Sequence, residues 1–188
     1  DGEGGDMSEG SSLFERQMAM YTSYHRDRRN RATHFVGIPA IIVSLMVVLA
    51  LARFSLGSTE LSWAIVVTAV VLVLWVVLDV TVGLAMAIFL VLALVFGEWL
   101  ATSYSATTVW WVFAGLFAGG WAFQLWGHVY EGRRPALASN LFQALIGPMF
   151  LMAEVFFALG WRRGLHDRVE TLISKHYPEY VLGNPAAE

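Results

Sequence analysis

The stretch "LSWAIVVTAVVLVLWVVLDVTVGLAMAIFLVLALVFG" (61–97) decides the fold of this chain, because it is too long and too apolar for a soluble helix. As one helix it would run about 55 Å, at about 1.5 Å per residue, whereas the hydrocarbon core of a bilayer is about 30 Å thick. Its single charge is Asp79, which together with Gly83 marks the place where the chain must turn back. Backbone groups in lipid must be bonded within the segment, so both arms are predicted to be helices.

The composition supports the same conclusion. Apolar residues make up 57% of the chain and charged residues 14%, against about 25% charged in typical soluble domains. Three more apolar runs cover 35–54, 107–126 and 141–161. We therefore predict an all-α integral membrane helical bundle, with four spanning helices plus a fifth that is spanning or re-entrant.

The bundle is expected to form one domain, 7–161. Residues 1–6 precede Met7 and are expected to be an added leader outside the fold. Residues 162–188 are predicted to form an amphipathic tail containing a C-terminal interfacial helix, with Leu165, Val169 and Ile173 on one face. There is no cysteine, which excludes disulfides and thiolate chemistry. The cations lie in short clusters beside apolar runs, so nucleic acid is not an expected partner, while an oligomer is left open.

Topology brings three of the five histidines to one side of the membrane. His25 and His34 precede the first run, and four crossings later the chain returns to the same face at His128. Most arginines collect there too, so the positive-inside rule makes this face cytoplasmic, in a bacterial inner membrane or the endoplasmic reticulum. A fifth run that breaks at Gly147-Pro148 and re-enters would keep the tail cations on that face, and the charge bias favours this alternative.

These histidines are candidate metal ligands, because neutral imidazole binds iron, copper and zinc. Taken singly, each is better explained as an interfacial polar residue, whereas three of five histidines on one face favour a metal site. Glu131 lies one helical turn after His128, and Glu154 is an ionisable group inside an apolar run, which marks it as a functional candidate. Asn30 is a further candidate, either as a helix cap or as a hydrogen-bond partner that supports a metal ligand. Four side chains are suited to bind an anionic head group: Arg133, Arg134, Asn140 and Gln143.

Two blocks of sequence carry a resemblance to a known family. They are "YHRDRRNRATHFVGIP" (24–39) and "FQLWGHVYEGRRPALASNLFQALIGPMFLMAEVF" (123–156). With them the chain resembles the small integral-membrane 2-hydroxy fatty acid dioxygenases of fatty-acid α-oxidation. The resemblance implies Fe(II) as cofactor and the oxidation by O₂ of a 2-hydroxy long-chain fatty acid, drawn from the lipid bilayer, to a fatty acid one carbon shorter.

On that resemblance His25, His34 and His128 are expected to hold the iron, and Glu131 or Glu154 to act as a fourth ligand or as a base. Two other functions remain open from the residues alone. One is a non-catalytic membrane protein, such as a small transporter or a lipid-binding protein, which would not require the histidines to converge. The other is a zinc-dependent membrane lipid hydrolase, which metal identity would separate because zinc has no redox chemistry.

Overall fold

A computed structural model describes residues 10–132 and 142–178 of the chain. In these ranges it contains seven helices and one β-hairpin. The helices are α1 (Leu13–Ser23), α2 (Arg28–Leu51), α3 (Trp63–Leu78), α4 (Val80–Ser103), α5 (Ala106–Glu131), α6 (Gln143–Ala158) and α7 (Arg163–His176), and the strands are β1 (Arg53–Leu56) and β2 (Thr59–Ser62).

Helix α2 is the centre of the bundle and packs against α3, α4, α5 and α6. Short connections reverse the chain between α2 and α3, between α3 and α4, and between α4 and α5. The start of α2, the end of α3, the start of α4 and the end of α5 therefore lie together at one end of the bundle. We call this the histidine end, because His25, His34 and His128 lie there.

Polar caps fix where the bundle helices begin. The side chains of Asp27, Ser62, Asp79 and Ser105 each accept a hydrogen bond from a backbone N–H in the first turn of the helix that follows. Such caps satisfy donors that have no partner inside the helix. Asp79 ends α3 and also caps α4, so the predicted turn at this residue is confirmed.

The all-α prediction is confirmed for the bundle, and one short β-hairpin lies at its opposite end. Residues 55–60 lie within this antiparallel hairpin of β1 and β2, in which Leu56 pairs with Thr59. Gly57 has a positive φ of 63° at the turn, a conformation that glycine adopts without steric cost. Helix α2 begins at Arg28, seven residues before the apolar run 35–54. Pro39 therefore lies in the interior of α2.

Three helices of the described chain, α2, α4 and α5, are long and apolar enough to cross a membrane. Helix α3 is apolar but has 16 residues, about 24 Å at 1.5 Å per residue, which is shorter than a typical span of about 20 residues. The bundle is therefore that of a helical membrane protein. The predicted number of four spans is not confirmed, because three of the described helices are long enough to cross a membrane.

The fifth run does not break at Gly147-Pro148, as one alternative required, because α6 continues through both residues. The chain turns instead between α6 and α7, which meet at 118°, and Gly160 and Arg162 have positive φ there. Both ends of α6 contact the histidine end: Gln143 bonds Gln17 of α1 at 2.6 Å, and Glu154 pairs with Arg31 of α2 at 2.8 Å. These contacts keep both ends of α6 at the same end of the bundle, which agrees with a re-entrant course, but without the predicted break at Gly147-Pro148.

The apolar face of α7 is not free to lie on a membrane surface. Leu165, Val169 and Ile173 are buried in the same apolar core as Phe14 and Met18 of α1. An ion pair between Arg168 and Glu15, at 2.6 Å, also joins the two helices. A second pair, Arg26 with Glu170 at 2.9 Å, joins α7 to the segment between α1 and α2. The amphipathic pattern was identified correctly, but in the structure it packs α7 against α1.

Close packing of α2 on α5 depends on glycine, and substitution should show it. A Cβ on Gly120 would lie 2.7 Å from Cγ1 of Ile41 and 2.9 Å from the carbonyl oxygen of Gly37, whereas a Cβ on Gly119 would meet no atom within 4 Å. We expect Gly120→Ala to lower the free energy of unfolding by about 1–3 kcal/mol through overpacking. Gly119→Ala is the control and should leave the thermal midpoint unchanged or slightly higher. Equal midpoints for the two variants would contradict this packing.

Candidate metal site

Three elements bring the histidines together at the histidine end. His25 lies between α1 and α2, His34 faces inward from α2, and His128 lies in the last turn of α5. Each offers a ligand nitrogen, and the three nitrogens lie within 4.8 Å of one another, with all three residues buried. Within the described ranges this is the one group of histidine and carboxylate side chains close enough to hold a metal ion.

Hydrogen bonds to the backbone fix the tautomers of two of these rings. Nδ1 of His25 lies 2.7 Å from the carbonyl oxygen of Tyr21, and Nδ1 of His34 lies 2.8 Å from that of Asn30. A carbonyl oxygen accepts hydrogen bonds and donates none, so each Nδ1 must carry the proton. The lone pair of each neutral ring is then on Nε2.

The two Nε2 atoms lie 3.1 Å apart, so two lone pairs face each other in a buried place. Without a cation this arrangement is repulsive. Nitrogen ligands at about 2.0–2.1 Å from a shared metal ion lie about 3 Å apart, and the observed separation fits that spacing. The pair is thus arranged as metal ligands are, with the second ring nitrogen of each fixed by a backbone acceptor.

His128 completes the group. Its ring lies 5.0 Å from that of His25 and 5.1 Å from that of His34, both at steep angles. Its Nδ1 is buried and has no hydrogen-bond partner among the described residues. Burial, together with the neighbouring His34 and His128, holds the pKa of His25 well below its usual value. The ring that links the other two therefore stays neutral at pH 7, as metal binding requires.

Glu131 is engaged beside the histidines and not with them. Its carboxylate accepts hydrogen bonds from the backbone N–H groups of Arg26 and Asp27, both at 2.9 Å, and from the side-chain amide of Asn30 at 3.0 Å. These contacts tie the end of α5 to the segment that carries His25. Asn30 also supplies the carbonyl that orients His34, so Glu131 and Asn30 together hold the two ligands in place.

The close approach of α5 to α2 at this point requires a glycine at position 127, because no side chain fits there. A Cβ there would lie 2.2 Å from Oγ1 of Thr33 and 2.4 Å from Oδ1 of Asn30.

The other predicted site residues lie apart from the histidine group or outside the described ranges. Glu154 pairs with Arg31, with Oε2 2.8 Å from the guanidinium, and is not part of the metal-capable group. Arg133, Arg134 and Asn140 fall outside the described residues. Gln143 is buried and lines the same cavity as the three histidines.

That cavity has a volume of about 180 Å³ and is polar at one end. The polar end is formed by Tyr21, the three histidines and Gln143, and the remainder is mainly apolar, with Ile38, Ile41, Ile42, Leu45, Trp121 and Pro148. A second, apolar cavity is lined by residues of α2, α4 and α6 and shares Ile38, Ile42 and Pro148 with the first.

Two residues of the cavity were missed from the sequence. The ring of Tyr21 stacks on His25 with centroids 4.1 Å apart and planes 6° apart, and the i, i+4 spacing of the two was the available signal. Gln124 lies one turn before His128 on α5 and lines the cavity as well. Gln143 was predicted, but its orphan atom was not: Oε1 is buried without a hydrogen-bond partner in the described structure, while Nε2 donates to Gln17 at 2.6 Å.

Comparisons with known proteins show the family of the chain. Residues 11–159 match the family model described as 2-hydroxy-palmitic acid dioxygenase Mpo1-like. A curated relative, 2-hydroxy-palmitic acid dioxygenase MPO1 of Saccharomyces cerevisiae, is 30% identical over 166 residues, which cover 87% of this chain and 91% of the relative. No solved structure matches the chain significantly.

Proposed function

Since the chain belongs to the Mpo1-like family of 2-hydroxy-palmitic acid dioxygenases, we propose that it is a metal-dependent dioxygenase acting on 2-hydroxy fatty acids. The C1–C2 bond of the substrate is cleaved, and the products that balance one O₂ are a fatty acid one carbon shorter, CO₂ and water. The observation that carries the proposal is the pair of Nε2 atoms of His25 and His34, 3.1 Å apart with their tautomers fixed, at the polar end of an apolar cavity.

The metal we propose is Fe(II), held by His25, His34 and His128. When bound, iron supplies the redox chemistry that the use of O₂ requires. Three imidazoles leave positions free for small molecules, as in other non-haem iron sites. The same three nitrogens would also bind zinc, but zinc has no redox chemistry, so the family's named reaction favours iron over the hydrolase alternative.

The proposed role of Gln143 is to orient the substrate. Its Oε1 is a buried acceptor without a partner in the described structure, and the hydroxyl at C2 of a 2-hydroxy acid is a donor that can satisfy it. An unpaired buried acceptor costs about 1–3 kcal/mol, so a substrate that lacks the hydroxyl binds less well. Arg133, Arg134 and Asn140 follow α5 directly in sequence and remain predicted contacts for the carboxylate.

Glu131 and Asn30 act through other residues. Because the carboxylate of Glu131 already accepts three hydrogen bonds, we assign it the positioning of His25 and Asn30 in place of the fourth-ligand or base role. We assign Glu154 the same kind of role, since its pair with Arg31 holds α6 against the start of α2.

We place the protein in a lipid bilayer, with the histidine end at the cytoplasmic face of a bacterial inner membrane or of the endoplasmic reticulum. The arginines of residues 26–31 all lie at this end. A transporter or passive lipid-binding protein is the less favoured alternative, because neither function explains two buried imidazole lone pairs directed at each other.

Turnover tests the proposal directly. Protein purified in detergent, loaded anaerobically with Fe(II) and given 2-hydroxypalmitate in air should consume O₂ and form a C15 fatty acid, detected by mass spectrometry. Palmitate, which lacks the hydroxyl, is the matched substrate control and should be recovered unchanged, as should 2-hydroxypalmitate given to the zinc-loaded protein. Unchanged 2-hydroxy acids of several chain lengths, despite bound iron, would remove the proposed activity.

A further inference from the structure

The lining of the cavity beside the histidines changes from polar to apolar along α2. Its polar residues, Tyr21, His25, His34, His128 and Gln143, are collected at the histidine end, and Gln124 lies one turn farther along α5. Beyond them the lining is apolar, from Ile38 through Ile41 and Ile42 to Leu45, with Trp121 facing from α5. A cavity with one polar end and a long apolar remainder fits a single-chain amphiphile in one orientation.

The far end of this cavity opens on the outer surface of the bundle. Leu45 is 39% exposed and lies well inside α2, 17 residues after Arg28, about 26 Å along the helix axis. The exposed side chains in the middle of the neighbouring helices α4 and α5 are also mainly apolar. The mouth therefore faces the region that lipid chains occupy if α2 spans a bilayer.

The length of the cavity can be compared with an acyl chain. His34 and Leu45 are eleven residues apart on α2, about 16 Å at about 1.5 Å per residue. Carbon–carbon bonds of about 1.52 Å at angles near 111° advance an extended chain by about 1.25 Å per carbon. About 13 carbons therefore reach from the histidines to the mouth, whereas a chain of eight ends near Ile41.

We infer that this cavity is the acyl-chain site, with its mouth between Leu45 and Trp121 opening sideways to the lipid, so that a 2-hydroxy fatty acid enters from within the bilayer with its head toward the histidines. The inference rests on the proposed function for the nature of the head group. Leu45 is then a specificity-determining residue, because its side chain meets chains long enough to reach the mouth and no others.

Substitution at the mouth tests the inference by chain length. In Leu45→Trp the larger side chain narrows the mouth, so turnover of 16-carbon 2-hydroxy acids should fall at least tenfold, while turnover of the 10-carbon acid should change less than twofold. Val36→Trp is the matched control, because Val36 is also exposed on α2 but lines neither cavity. A Leu45→Trp variant with the wild-type chain-length profile, or one that loses all chain lengths equally, would overturn the inference.

A second measurement does not need turnover. A 16-carbon 2-hydroxy acid with a diazirine at its methyl end is photolysed with the metal-free protein in lipid nanodiscs, with and without excess 2-hydroxypalmitate. The crosslinks that the competitor removes should map to Leu45, Trp121 and their neighbours. Competed crosslinks at Phe89 or Met152, which line the second cavity, would assign the chain to that cavity and overturn the inference. Crosslinks at the mouth in a protein without dioxygenase activity would keep this site and remove the proposed function.

Discussion

Replacing His34 with alanine is expected to abolish both metal binding and turnover. The change removes one of two Nε2 atoms that face each other at 3.1 Å, and the remaining nitrogens cannot enclose the ion. Loss of a residue that only supports a ligand costs about 10–100-fold in metal affinity, so loss of a ligand should exceed 100-fold. The same result is expected for His25→Ala and His128→Ala, measured by metal analysis of the purified protein and by product formation.

His166→Ala is the control for these variants. His166 is exposed on α7 and lies outside the metal-capable group, so its loss should leave iron content and turnover at wild-type levels. Thermal unfolding of each variant in the metal-free state separates loss of the site from loss of the fold. Near-normal iron content in any one of the three site variants would show that the assigned ligand is wrong.

Replacing Glu131 with alanine is expected to give the second-largest effect. The carboxylate accepts hydrogen bonds from two backbone N–H groups and from the amide of Asn30, and alanine leaves all three donors without this acceptor. Hydrogen bonds to a charged group contribute about 1.5–3 kcal/mol each where the donors are buried. Asn30 is buried, whereas Arg26 and Asp27 are half-buried, so we expect a total loss of about 2–4 kcal/mol in unfolding free energy.

Glu170→Ala is the matched control, since Glu170 pairs with the side chain of the same Arg26 at a half-exposed position. An exposed ion pair contributes about 0–1 kcal/mol, so this variant should unfold near the wild-type temperature. Equal destabilisation by the two changes would contradict the role given to Glu131.

Glu131→Gln separates positioning from direct participation in catalysis. Glutamine keeps one acceptor oxygen and most of the fold, so the positioning role predicts weaker Fe(II) binding, by about 10–100-fold, with turnover restored by excess Fe(II). A base that takes a proton from the substrate cannot be replaced by adding metal. Full iron occupancy without turnover in this variant would therefore contradict the positioning role and indicate that Glu131 is a catalytic base.

Much of the bundle could be predicted from the sequence, because lipid leaves few alternatives for long apolar runs. The length of the run 61–97 required a turn, and its single charge placed that turn at Asp79. The parity of crossings placed His25, His34 and His128 at one end. What could not be predicted depends on contacts between segments distant in sequence. The amphipathic pattern of α7 predicts a helix that lies on the membrane surface, whereas in the structure α1 covers its apolar face.

The site shows the same division between local pattern and tertiary contact. Imidazoles at the histidine end were predicted as ligands from residue type and topology. The hydrogen bonds of Glu131 join residues 101–105 positions apart in the chain, and no spacing rule distinguishes such an acceptor from a fourth ligand. The orphan Oε1 of Gln143 likewise depends on where α6 meets α1, which its own sequence does not specify.

The most direct test of the metal site is X-ray absorption at the iron edge of the Fe(II)-loaded protein, together with its iron content. We predict one iron per chain and the outer-shell scattering of three imidazoles, corresponding to His25, His34 and His128. Iron that fails to bind stoichiometrically, or that binds with fewer than three imidazoles, would contradict it.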